Sequence, residues 1–505
     1  MKIYIGKISK FLICGILIVF MAGCSKFLDE KDQSNFTAEN YFTKPTHAES
    51  SVNSIYASLS TLYNGGDGFG SGLSPWLMLE FATGFANTEL GEAFDNLFVR
   101  SLTNSSDNGE GLSWWERSYK GISNANLAIA KIPGISMDEV KKNQLLGEAR
   151  FLRAFYYYNL VRIFGKVPLI TNPVDLNSPD MYPSQATEDD IYTVIVADLK
   201  VAESSGLPYL DATRRVSIGA VKSLLASVYL TMAGYPLQKG NDYYQLAADK
   251  ANEVILTNNY SLFTSYDDLH TPSNKNKGEN IFQAQYTALI SPSSWQQAIV
   301  PYNKGISAYD GQSGAIFAEL PFVTSFESGD KRRLEKQFFY TTYTLNYDRS
   351  VTINLGNTYI YKLFDVLAQT STASSGLNWT LMRYAELLLI YAEASNEVSG
   401  PTTASYEAVN KIRRRAQLPD LSGLTKDQFR EAIWRESCHE LCYEDKTWFN
   451  MVRTRKAYNV TTGNFDDYVG HAFTYGPVLK EKDLLFPIPT SEMDNNLKLI
   501  QNTGY

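Results

Sequence analysis

The side chains best suited to making and breaking bonds are scarce in this sequence. It holds four histidines (His47, His270, His439, His471) and four cysteines (Cys14, Cys24, Cys438, Cys442) in 505 residues. Cys438 and Cys442 stand one helical turn apart with His439 between them, a spacing that could turn two thiolates toward a metal ion. A structural zinc site wants four ligands, and no fourth soft ligand lies nearby. His439-Glu440 is followed by Tyr443 where a zinc-protease helix carries its second histidine. These residues are therefore expected to pack as small apolar groups, with no metal and no cofactor. A Gly-x-Ser-x-Gly elbow is absent. Gly65–Gly72 lacks the Gly-Lys-Ser/Thr ending and the preceding strand of a phosphate loop. Paired carboxylates stay open, because what defines them is their separation in space. Asp95, Asp107, Glu110 and Asp310 fall in loop-like stretches and keep a glycosidase as an alternative to a protein without catalysis.

The stronger chemical signal is aromatic. "SPSSWQQAIVPYNKGISAYDG", Ser291 to Gly311, sets Trp295, Tyr302 and Tyr309 among polar residues. "FDNLFVR" adds Phe94 beside Asn96 and Arg100. Sugars present apolar C–H faces and hydroxyl rims; flat rings flanked by amides and charges suit both. These six residues are the candidate ligand contacts. The competing expectation is that the rings fasten their loops to the core.

The N-terminus says where such binding would take place. Lys2, Lys7 and Lys10 precede an apolar run from Phe11 to Ala22, which ends at Ala22-Gly23-Cys24. That is a basic, apolar, small-residue order typical of a signal peptide over residues 1–23. The run is too short to span a bilayer, which takes about 20 apolar residues. Cys24 is placed as the lipidated first residue of a mature lipoprotein. The whole chain carries a net charge of −8, and residues 1–23 carry three lysines and no acid, so the remainder stands at −11. An acidic balance of this size argues against nucleic acid or an anionic lipid surface as partner. Only Cys438 and Cys442 are left, so no disulfide framework is expected and a packed core must supply stability.

The elements that would position the loops are helical and paired. Ser136–Glu139 reads as a capping box before Leu145, Ala149, Leu152, Tyr156 and Leu160. Thr187 caps a partner helix carrying Ile191, Val194, Ile195 and Leu199. Further pairs are expected over 218–232 with 243–256, over 381–397 with 406–416, and from the box Thr425–Gln428 to Val452. Helical hairpins that cannot bury a face alone stack on one another. Two stretches break this pattern: 62–113, with the Gly-, Asn- and Ser-rich runs Asn64–Gly72 and Thr103–Gly111, and 259–376, with Asn/Gly/Ser/Pro clusters. Long loops on a rigid scaffold are where binding concentrates.

Several blocks together resemble the SusD/RagB family of outer-membrane nutrient-binding lipoproteins. They are "CSKFLDE", "GEARFLRAFYYYNLVRIFGKVPLI", "IYTVIVADLKVAESSGLP", "LMRYAELLLIYAEASNE", "VNKIRRRAQLP" and the C-terminal "FPIPTSEMDNNLKLIQNTGY". The resemblance implies a mainly α, SusD-like fold. Four tetratricopeptide-type hairpins, about 136–258 and 380–453, would pack against an irregular ligand-binding part, about 62–113 and 259–376, in a single domain over 24–505. It also implies a surface lipoprotein, anchored in the outer membrane and facing outward, that delivers oligosaccharide or polysaccharide to a SusC-like TonB-dependent barrel. A peptide-binding member of the same family is the alternative. Ser437, Asp445, Thr447 and Asn450 stand where the family pattern has Arg, Gly, Arg and Asp, at positions expected on a helix surface or turn. "EFATGFANTEL", Glu80 to Leu90, lacks the Ser-Asp often found there.

Overall fold

The computed structural model describes residues 41–64, 75–91, 95–175, 178, 181–211, 213–293, 295–302, 304–308 and 312–505. Cys24 and the signal segment, Gly65–Gly72, Phe94 and Tyr309 lie outside the described residues.

Helix α1 (Pro45–Tyr63) begins on a proline and buries Ala48, Val52, Ile55, Leu59 and Leu62, a stripe at three- and four-residue spacing. Helix α2 (Gly109–Lys131) is capped by Asn108, whose side chain accepts from the amides of Glu110 and Gly111. Helix α3 (Glu139–Phe164) starts at Asp138, which accepts from Lys141 N, rather than at the expected Ser136. Every residue from Phe151 to Val161 is buried, because neighbouring helices cover α3 on more than one side. Helices α4 (Glu188–Glu203), α5 (Ile218–Ala233) and α6 (Asn241–Ile255) continue the stack, with Thr187 capping α4 as expected. Helices α7 (Tyr384–Ser399), α8 (Thr403–Arg415), α9 (Lys426–Glu440) and α10 (Thr447–Thr454) complete the long elements.

The pairs differ from expectation at both ends of the array. α1 packs on α2, α2 on α3, α3 on α4, and so on through α5 and α6 to α7, which takes both α8 and α9. The first pair is thus α1 with α2, two helices on either side of the stretch 62–113, which no expected pair included. Gly121 lets α2 approach α3, since a Cβ there would collide with the Tyr156 ring. At the other end, α9 and α10 do not form a hairpin. Tyr443 (φ 62°) and Asp445 (φ 58°) turn the chain away, and α10 packs on a small C-terminal hairpin and on the short helix Trp76–Phe81. That short helix is itself wholly buried, so 62–113 is only partly loop.

Three small antiparallel sheets close the irregular side. Strands β1 (Ala86–Asn87), β3 (Phe317–Ala318), β4 (Phe339–Thr344) and β5 (Thr352–Ile360) form one, in the order β1-β3-β5-β4. Strands β2 (Asn280–Ala284) and β6 (Trp379–Arg383) form the second, and β7 (Lys456–Tyr458) with β8 (Phe465–Asp467) the third. Met382 and Arg383 pair with Phe282 and Asn280, which is why α7 starts at Tyr384 and not at the expected Leu381. The main apolar core runs from Ala48 to Leu499, and a smaller cluster gathers Met451, Tyr468, Phe473 and Leu484.

A charged network lies inside the array. Arg332 has no exposed surface and pairs with Asp330 (2.7 Å), Glu436 (2.6 Å) and Glu440 (3.1 Å). Arg383 joins Glu440 and Glu444 at 2.7 Å each, Arg415 joins Glu279 (2.9 Å) and Glu440 (2.6 Å), and Lys362 pairs with Glu444. Burial alone would raise the Glu440 carboxyl, but Arg415, Arg383 and Arg332 hold it down at about 2. Ser437, Asp445 and Thr447 are also buried, so these departures from the family pattern are interior rather than surface positions.

Candidate functional site

The loop face is assembled from β1, the β4–β5 hairpin and the segment 295–314. Glu89, just past β1, is its pin. Its carboxylate accepts from Tyr302 N (2.7 Å), from the Tyr359 hydroxyl and from Asn357 Nδ2 (3.5 Å). Glu89 N donates to Gly314 O at 2.9 Å. Gly314 has φ +56° and a Cβ there would collide with the Glu89 carboxylate, so glycine is required twice over. Behind this pin, Gln296 and Gln369 have no exposed surface. Gln369 Nε2 donates to Gln296 O (3.0 Å), Gln296 Nε2 donates to Leu363 O (2.8 Å), and Asp365 N donates back to Gln296 Oε1 (3.0 Å). Buried amides satisfied in this way fix a loop backbone without help from charge.

On that backbone two rings face solvent: Tyr302, 61% exposed, and Tyr347, 79% exposed. Tyr347 sits at the tip of the β4–β5 hairpin, where Asp348 Oδ1 accepts from Ser350 N (3.0 Å) and Ser350 Oγ (2.6 Å). Those two bonds hold the Asp348 carboxyl below its ordinary range. Asn346 Nδ2 ties the tip to Ile306 O at 2.9 Å. A Cβ on Gly305 would lie 3.9 Å from the Tyr347 ring, so both rings flank the same turn. Lys304 and Arg349 are exposed beside them.

The expected contacts divide sharply. Trp295 is 2% exposed and meets Trp379 edge-on (5.5 Å, 82°); Trp379 in turn packs on Trp76 (4.8 Å) and Tyr63 (5.9 Å). Its faces belong to the core, so it is no stacking platform. Asn96 is fully buried, and neither of its amide atoms has a hydrogen-bond partner among the described residues. Arg100 is engaged by Glu319, by Ala86 O (3.2 Å) and by the Tyr475 ring (3.6 Å), which clamps the short helix Asn96–Arg100 to β1 and β3. Of the rings proposed from sequence, Tyr302 alone is both described and exposed. Tyr347 and Glu89 were missed; the signal for the first was "NYDRS", a ring among turn formers between two β-rich runs.

Other candidate chemistry resolves as packing. Cys438 and Cys442 are buried, and burial pushes both thiols up to about 12. His439 stacks on Phe326 (4.1 Å, 21°), and burial drives its imidazole well below the ordinary range. Among the described residues no group of three or more His, Cys, Asp or Glu is placed to hold a metal. Glu110 is different. Burial raises its carboxyl to about 8, with Arg117 lowering and Asp95 raising it further. Among the described residues no helix is long and apolar enough to cross a membrane.

With this geometry in hand, the chain can be set beside known proteins. Residues 252–505 match the model described as SusD family, and residues 26–230 match one described as starch-binding associating with outer membrane. A SusD superfamily protein from Parabacteroides distasonis is 40% identical with a TM-score of 0.88, covering 93% of this chain and 100% of that one. SusD-like protein P2 of Formosa agariphila is 29% identical over 97% of this chain and 98% of its own length. A structure described as a laminarin-binding SusD-like protein shares the fold, with a TM-score of 0.74 at 23% identity over 92% of this chain and 100% of that one.

Proposed function

The chain belongs to the SusD family, and from that premise we propose that it captures glycan at the cell surface without catalysis. Tyr302 and Tyr347 are the contact rings, and Phe94 and Tyr309 are kept as further contacts on the sequence alone. The observation that carries this is the pairing of two solvent-facing tyrosines with a backbone that Glu89, Gln296 and Gln369 hold still. A preset platform loses little freedom when a sugar stacks on it. Trp295, Asn96 and Arg100 support the face from behind. Cys24 carries the lipid that holds the protein at the outer membrane, outward-facing, and a SusC-like TonB-dependent barrel receives the glycan.

Native gels cast with a polysaccharide panel, laminarin first, test the reading while the same panel is checked for released sugar. Retardation that Tyr302→Ala and Tyr347→Ala abolish supports it. Retardation by no glycan, with retention of a peptide pool instead, would transfer the site to peptides. Glu110 favours one second reading, a glycosidase acid, because its carboxyl holds a proton at neutral pH beside Asp95. Sugar release lost in Glu110→Gln would establish that reading instead.

A further inference from the structure

A second cavity lies far from these loops in the chain, between α3, α4, α5, α10 and the C-terminal segment. It encloses about 590 Å³, the size of a small-molecule site. Tyr192, Tyr235 and Phe449 supply ring surface to its wall, and Arg162 and Arg455 line it.

These two half-buried guanidiniums differ from those the chain buries fully. Arg153 meets Asp198, Arg332 meets Asp330, Arg383 meets Glu440, Arg413 meets Glu436 and Arg453 meets Glu393. Among the described residues neither Arg162 nor Arg455 pairs with a carboxylate. Arg162 lies 3.6 Å from the centroids of both the Tyr158 and Phe449 rings. Its Nε donates to Tyr158 O (2.9 Å) and its Nη2 to Asn159 Oδ1 (2.7 Å), so Nη1 is left over. Arg455 lies 4.8 Å from the Tyr235 ring and donates from Nη1 to Val452 O (2.7 Å), which leaves Nε and Nη2, one edge of the fork. Burial lowers its pKa, with Glu481 pulling the other way. Glu481 for Arg455 and Asp445 for Arg162 act only from beyond direct contact, and an anion entering the cavity would supply the contact these partly desolvated cations lack. Lys480 lines the same cavity and makes no ion pair among the described residues.

The wall also selects the anion. A planar guanidinium edge matches a carboxylate two bonds at a time. Glu188 and Glu481 share the lining and repel a doubly charged group. The rings ask for a ligand with flat or apolar faces.

We propose that this cavity is a second binding site, which takes one carboxylate between Arg162 and Arg455 and seats the rest of the ligand against Tyr192, Tyr235 and Phe449. The carboxylate could belong to a hexuronic acid of an acidic oligosaccharide or to a free aromatic acid. Calorimetric titration of the full chain with digalacturonate and with phenylacetate separates the two. Each is paired with its neutral counterpart, the digalacturonate methyl ester or phenylacetamide. The expected result is that one acid binds at least about tenfold tighter than its neutral counterpart, and that Arg455→Gln removes about tenfold of that affinity. Glu481→Gln, an exposed change that leaves the fold alone, tightens binding about twofold by deleting a like charge. Tyr302→Ala leaves this binding unchanged, which keeps the outcome separate from that of the loop face. Absence of binding by both acids, equal binding of acids and neutral counterparts, or indifference to Glu481→Gln overturns the proposal.

Discussion

The helical interior and the loop face are both rigid, yet they are held by opposite means. Inside, Arg332, Arg383, Arg415 and Lys362 interlock with Asp330, Glu279, Glu436, Glu440 and Glu444. These groups come from segments far apart in the chain. At the loop face the pins are neutral amides and the Glu89 carboxylate, which accepts from neutral donors, with the Arg100–Glu319 ion pair set behind them. A buried charge network fixes register sharply, because any other arrangement strands a charge. Neutral pins leave a surface uncommitted in charge and free for ligand hydroxyls. The difference separates the part that must hold its shape from the part that must hold something else.

The contrast is broken most directly at its charged side. Arg383→Met takes one buried cation from both Glu440 and Glu444, which keep Arg332, Arg415 and Lys362, and is expected to cost about 3–5 kcal/mol in urea unfolding; a loss under about 1 kcal/mol would dissolve the distinction. Trp295→Ala is expected to behave as an interior change despite its place in a polar loop sequence, with a similar loss of about 3–5 kcal/mol. Both values come from denaturant midpoints at constant slope.

A third test uses pH. Glu80 is buried and its carboxyl is raised by burial to about 7, beside Asp445, whose carboxyl burial also raises. The folded chain keeps a proton that the unfolded chain gives up above its ordinary value of 4.5. Stability therefore falls as pH climbs from about 4.5 to about 7. Glu80→Gln removes that loss, so it should gain about 1–3 kcal/mol over wild type at pH 8 and little at pH 4. A gain that grows toward acid pH would contradict the assignment.

On the neutral side the effects are smaller. Gln369→Leu should cost about 1–3 kcal/mol by taking the Gln369 amide away from Gln296 O, and it should loosen glycan binding as the loop relaxes. Tyr302→Ala should leave stability within about 0.5 kcal/mol and weaken retention on glycan by about 1–3 kcal/mol. Equal damage to stability and binding in Tyr302→Ala would show that the ring belongs to the scaffold.

Much of the scaffold was legible in the sequence because periodicity and caps are local. Thr187 and Thr425 sit at the helix starts they predict. The pair α1–α2 was not among the expected hairpins although Val52, Ile55, Leu59 and Leu62 show the same spacing, because the glycine- and asparagine-rich stretch between the two helices hides that they meet. The site was less legible. Trp295 among serines and glutamines looks exposed, and only its distant neighbours Trp76 and Trp379 bury it. Glu436 and Glu440 on α9 look like a solvated face until Arg332 and Arg383 arrive from other segments to pair with them.

The end of the chain is stitched to its first half. Asn502 Nδ2 donates to Phe164 O (3.0 Å) across 338 residues and to Phe486 O (2.7 Å), Phe486 N donates to Ile163 O (2.8 Å), and Thr490 N donates to Ser106 O (2.9 Å). The last carbonyls of α3 therefore find their partners only after the final residues have been made. Contacts of such long span slow folding and delay its completion.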